Sequence, residues 1–256
     1  MIFRRVKAHI EKENWFAVGV DFLIVVVGVF IGIQVANWNQ EQSRKAQEHS
    51  YLVLVHEELV QNGERAERLL DYYTSVTDAG ERALVFLKGD EPCEADCEGL
   101  LIDFFHASQL WTVVFDQTTF QEVVELGFPS DNALREELFT TYDLTSSFRV
   151  INQVSPPFRE TVREYIEPDA ARILWSRCWE VDVPTVTETL TRGCADQLKT
   201  IDTVGMLRDI KSDPRLEGML RYWLNQNIFA MLNYPTVRDR TIAMADMVAV
   251  EIETVR

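Results

Sequence analysis

No Gly-x-Ser-x-Gly elbow, glycine-rich phosphate loop or Rossmann fingerprint occurs in the 256 residues. Their absence removes sequence support for a serine hydrolase, a P-loop enzyme or a dinucleotide-binding fold. No convincing run of alternating apolar and polar residues is present, and no internal repeat, which leaves helices as the building material. Positive charge is scarce: 25 Lys and Arg stand against 41 Asp and Glu, a net charge of −16. Nucleic-acid binding needs clustered basic residues to release counterions, so that class of partner is set aside. The acidity reads as a solvated surface that keeps the chain soluble.

Histidine is sparse too, at positions 9, 49, 56 and 106. His56-Glu57-Glu58-Leu59-Val60 begins like a zinc-protease motif but has Val60 where the second histidine belongs, so that site is rejected. His49 and His56 lie seven apart on one helical face and read as a solvent-facing pair. Carboxylates are too abundant for any pair of them to carry information. No cofactor or metal site emerges, and no catalytic residue.

What the chain does have is one long apolar run, WFAVGVDFLIVVVGVFIGIQVANW, from Trp15 to Trp38. About 20 such residues suffice to cross a bilayer as a helix. Arg4, Arg5, Lys7 and Lys12 precede it, and Arg44 and Lys45 follow. The positive-inside rule then predicts a cytoplasmic tail over 1–14, a membrane helix over 15–38 and an extracytoplasmic domain over 39–256. In a Gram-negative host that domain would be periplasmic and the anchor would sit in the inner membrane. A cleaved signal peptide is the rival reading. Its apolar region would be too long, and Gln34 occupies position −3 of a cut after Ala36.

Cys93, Cys97, Cys178 and Cys194 make an even count, which in an oxidising compartment suggests disulfides. Pairing of sequence neighbours, Cys93 with Cys97 and Cys178 with Cys194, is favoured among three possibilities. The zinc alternative lacks the usual C-x-x-C spacing.

Beyond the span, positions 52, 55, 59, 62, 66, 69, 73, 76, 80, 83 and 87 follow a 3-4 spacing, weakened by Asn62 and Gly80. A helix rising from the membrane is expected, one face packed in an intramolecular bundle; its continuity with the anchor is left open. Lys88–Gly99 reads as a loop. Shorter helices follow near Leu100–Trp111, Thr118–Leu126, from Asn132, Phe158–Ile166 and Asp169–Trp179. The β-branched stretch between Cys178 and Cys194 reads as an irregular loop or small hairpin. Ser212-Asp213-Pro214 starts a helix that Pro235 is expected to break or bend, with a last helix over Ile242–Ile252. The class is all-α: one membrane helix followed by a helical bundle. The aromatics Phe104, Phe105, Trp111, Phe115, Tyr142, Trp175, Trp179, Tyr222 and Trp223 are expected in its core.

Within the span, Asp21 is an acid in an apolar helix, a functional candidate by default unless it reaches the cytoplasmic headgroups. Ala17, Asp21, Gly28, Gly32 and Asn39 fall near one line of the helix, and Gly28-x-x-x-Gly32 is a spacing that lets membrane helices approach closely. Association through Asp21, Gly28 and Gly32, with itself or with another membrane protein, is expected. Gln34, Asn37, Trp38 and Asn39 mark the outer membrane edge, Trp38 as an interfacial anchor.

The positions Gly19, Asp21, Gly28, Ile31, Gln34, Asn37, Trp38 and Asn39 resemble the start of a family of uncharacterised bacterial anchored proteins, whose span ends in Gln-x-x-Asn-Trp-Asn. Asp21 stands where that family usually has Glu, and Gly32 where it has Ala. Thr118–Asp143 resembles a second stretch of the family. The resemblance covers under a quarter of the chain. It implies a single anchor followed by a helical extracytoplasmic domain, and supplies no reaction, ligand or catalytic residue. The expected function is a scaffold or accessory interaction subunit and not an enzyme. The alternative is a periplasmic ligand-binding sensor, which calls for an apolar cavity with a few converging polar groups.

Overall fold

The computed structural model describes residues 15–112, 114–149 and 154–255. The basic residues Arg4, Arg5, Lys7 and Lys12 of the expected tail lie outside them. Helix takes up 77% of the structure and strand 3%, which settles the class as all-α.

Helix α1, Trp15–Lys88, runs for 74 residues without interruption, so span and stripe belong to one rod. At 1.5 Å per residue it is about 110 Å long. Helix α8, Pro214–Val255, lies antiparallel along its second half. Climbing α1 while descending α8, Gly63 meets Ile242, Glu67 pairs with Arg238, Tyr73 stacks on Tyr234 and Thr77 bonds the Met231 sulfur. The stripe from Leu52 to Ala83 is buried at every 3-4 step, as the intramolecular reading expected.

The two positions that weaken the stripe each do specific work. Asn62 mimics a peptide group: its Nδ2 donates to the Asp116 carbonyl (2.6 Å) and its Oδ1 accepts from the Asp116 N–H (2.9 Å). A buried amide satisfied at both ends adds no desolvation penalty. At Gly80 the missing side chain makes room for Leu224, whose Cδ2 would lie 2.6 Å from an added Cβ. Helix α8 starts where Asp213 accepts the Arg215 N–H (2.9 Å), with Pro214 in the first turn.

Pro235 does not break α8 into two helices, and the separate helix expected over Ile242–Ile252 is its continuation. Proline costs a helix one hydrogen bond and a steric adjustment. Tyr234 and Val237 on either side are buried, and that packing against α1 outweighs the cost.

The rods carry two cores. Nearer the apolar end, Leu52, Val55 and Leu59 of α1 and Met244, Ala245 and Val248 of α8 enclose α3 (Thr118–Glu125) and α4 (Asn132–Arg149). Gly127, with positive φ, ends the turn after α3. Farther out, α2 (Cys97–Ala107), α5 (Pro157–Arg163), α6 (Pro168–Arg177) and α7 (Thr203–Ser212) pack around Leu69, Tyr73, Phe104, Phe158 and Trp223. Between α6 and α7 lie a hairpin, β1 (Trp179–Asp182) against β2 (Thr187–Leu190), and a 3-10 turn, Ala195–Leu198. Of the aromatics expected in the core, Phe104, Phe105, Trp111, Phe115, Tyr142 and Trp223 are buried and Trp179 is partly buried against them, whereas Trp175 and Tyr222 are exposed. Both turn to the solvent side of their helices.

Candidate functional site: the span, its footing and the distal cap

From Gly19 to Gln47 the side chains of α1 are exposed all round. Val20 to Trp38 includes Phe22, Leu23, Ile24, Val25, Phe30 and Ile33 in that state. A helix that is apolar on every face needs an apolar surrounding, and this one is long and apolar enough to span a membrane. Asp21, Gly28 and Gly32 lie on its open surface, and a Cβ added at either glycine would meet nothing within 4 Å. Gln34, Asn37, Trp38 and Asn39 are also exposed.

Next comes a short polar stalk, residues 39–47, before the first buried side chain, Glu48. Glu48 accepts from the Ser130 hydroxyl (2.7 Å) and backbone N–H, ahead of α4. Arg44 reaches the same hydroxyl (2.6 Å) and pairs with Glu41 (3.0 Å). One step farther along, Glu58 accepts from the Thr119 N–H (2.7 Å) at the start of α3 and from the Tyr142 hydroxyl. Acids on α1 thus stand at helix starts, where free N–H groups and the helix dipole favour negative charge. Glu48 and Glu58 do not stand out in a sequence with 41 Asp and Glu residues.

The distal end is a cross-linked cap. Cys93 bonds Cys97 and Cys178 bonds Cys194, the pairing expected from sequence neighbours, and the second bridge closes the base of the β1–β2 hairpin. Buried Asp103 of α2 takes both prongs of Arg82 from α1 (2.9 and 2.7 Å) and meets Arg192 (3.3 Å) beside the hairpin. His106 is also buried. Its Nε2–H donates to the Cys178 carbonyl (2.9 Å), and burial pushes its pKa down to about 4. His49 and His56 are half-exposed, and among the described residues no cluster of three or more His, Cys, Asp or Glu is placed to hold a metal ion.

One group was not singled out by its sequence. Arg159 and Arg163, four apart on α5, converge on the end of α2. Arg159 Nη1 donates to the Ser108 carbonyl (2.7 Å), and Arg163 Nε to the Ser108 hydroxyl (2.9 Å). Arg163 also lies over the rings of Phe105 (5.5 Å) and Trp175 (5.0 Å). Burial lowers both pKa values, that of Arg163 to about 10 with a contribution from Arg159. The only advance signal was a basic i, i+4 pair in an acidic chain.

These features define a helical protein with one candidate membrane helix and two disulfides. The chain matches no protein-family model, no curated protein and no solved structure.

Proposed function

We propose that the protein is a single-pass membrane protein, held with residues 1–14 in the cytoplasm and the helical domain outside it. In a Gram-negative bacterium that is the inner membrane and the periplasm. It serves as a scaffold or accessory interaction subunit and not as an enzyme. The carrying observation is the continuity of α1: an apolar segment with no protein cover becomes, without a break, the spine of the folded domain. The two disulfides support an oxidising compartment. The resemblance at Gln34, Asn37, Trp38 and Asn39 supports the position of the membrane edge. Gly28, Gly32 and Asp21 form the face through which the span associates with another membrane helix, a second copy or a different protein.

Two measurements test this reading. A reporter enzyme fused after Arg256 that works only outside the cytosol is expected to be active; activity of a cytosol-only reporter at the same point refutes the topology. In an in-membrane association assay, Gly28→Ile and Asp21→Leu are expected to lower the signal. Equal signals from wild type and both variants remove the association face.

A further inference from the structure

We infer that Arg159 and Arg163, with Gln109 behind them, form a binding site for a small oxyanion, a carboxylate or phosphate-type group in solution. The reading rests on the membrane placement proposed above only in setting a lipid headgroup aside.

Both guanidinium groups reach one peptide oxygen: the Ser108 carbonyl accepts from Arg159 Nη1 at 2.7 Å and from Arg163 Nη2 at 3.4 Å. Two like charges are therefore held side by side, half-buried, in a chain of net charge −16. Among the described residues, nine other arginines have a carboxylate within 4 Å, Arg82, Arg192, Arg215 and Arg238 among them, whereas Arg65 and Arg135 also meet only neutral acceptors. Arg159 and Arg163 have none among the described residues; their acceptors are neutral, the Ser108 carbonyl and hydroxyl and the Gln109 Oε1 (3.5 Å). Glu188 and Glu160 attract Arg159 from beyond ion-pair distance, and the Oε2 of Glu188 is already taken by the Tyr72 hydroxyl and the Trp179 N–H, each at 2.9 Å. Stacking on Phe105 and Trp175 accounts for where Arg163 sits. It does not account for the neighbouring charge.

Gln109 is the second, independent sign. It is 2% exposed, and its amide faces Arg159 through Oε1, yet Nε2 on the same carbon has no partner. A buried donor left unpaired is costly, and such groups are normally satisfied. Fork-shaped guanidiniums match the planar or tetrahedral edge of an oxyanion, with two donors per arginine. Arg159 Nε and Nη2 and Arg163 Nη1 have no acceptor among the described residues, which leaves them for the ligand. A lipid headgroup is the wrong source. The site adjoins Tyr72, which lies 34 helical residues beyond Trp38, about 50 Å along α1.

The test uses the full chain in detergent. Thermal unfolding is followed while sodium phosphate or sodium acetate replaces sodium chloride at constant ionic strength. At least one oxyanion is expected to give a saturable rise in Tm, several degrees at large excess over Kd. Arg159→Gln is expected to abolish it. Should that variant fail to fold, Arg159→Lys, which keeps the charge and loses the fork, is expected to weaken binding about tenfold or more. No rise beyond the chloride control with either anion overturns the inference. So does a wild-type response in folded Arg159→Gln or Arg159→Lys.

Discussion

His106 shows how one buried side chain ties stability to pH. The folded protein holds it neutral, with a pKa near 4, because burial penalises the charged ring. Unfolded, it titrates near 6.5. Above pH 6.5 neither state takes up the proton and the fold keeps this contribution. As pH falls from 6.5 towards 4 only the unfolded chain binds the proton, so stability drops, by up to about 3 kcal/mol. Unfolding measured in detergent at pH 7.5 and pH 4.5 is expected to show this loss. His106→Gln, with no proton to take up, is expected to flatten that part of the pH dependence; an unchanged slope would assign the loss to other groups.

At the scale of elements, α8 and the hairpin carry opposite lessons. Pro235 interrupts the hydrogen-bond ladder of α8 at Met231, yet the helix continues through it. Replacement by Ala supplies the missing N–H, and Pro235→Ala is expected to stabilise the protein by about 1–3 kcal/mol, read as a higher Tm. A lower Tm would mean that the proline fits a distortion on which the α1–α8 packing depends. The hairpin, by contrast, has only a two-stranded ladder and leans on its bridge. Cys178 and Cys194 are 16 residues apart, and a loop of that length is worth about 3 kcal/mol in the loop-entropy description. Replacing both by Ser is expected to cost about that much and to expose the Cys178 carbonyl that His106 bonds. Replacing Cys93 and Cys97, only four apart, is expected to cost less.

The whole molecule is organised around one rod. Because α1 does not break between the apolar segment and the domain, residues 39–47 fix the orientation of one relative to the other. Spin labels at Gln42 and Ser75, both on exposed positions, should lie about 50 Å apart with a narrow distance distribution. A broad or much shorter distribution would mean that the helix is hinged above the span. The antiparallel return of α8 brings Thr254 and Val255 back to Gln42, Lys45 and His49, so the domain begins and ends at the same rim.

Much of this was legible without coordinates, wherever the cause is local. Periodicity marked the α1 stripe, Asp213-Pro214 marked the start of α8, and short sequence separation picked out both cysteine pairs. The apolar run from Trp15 to Trp38 is a matter of composition and length, and no fold can hide it. Other features depend on residues far apart in the chain, and only the tertiary structure decided them. Asn62 looked like a flaw until Asp116 supplied its partner, Gly80 until Leu224 filled its gap, and Pro235 read as a break until α1 held both sides of it in place. The arginine pair is the extreme case, since it gains meaning only when α5 is laid across the end of α2. Local rules govern which segments become helices; which polar groups stay unpaired is set by packing, because burial and hydrogen-bond partners are properties of the assembled fold.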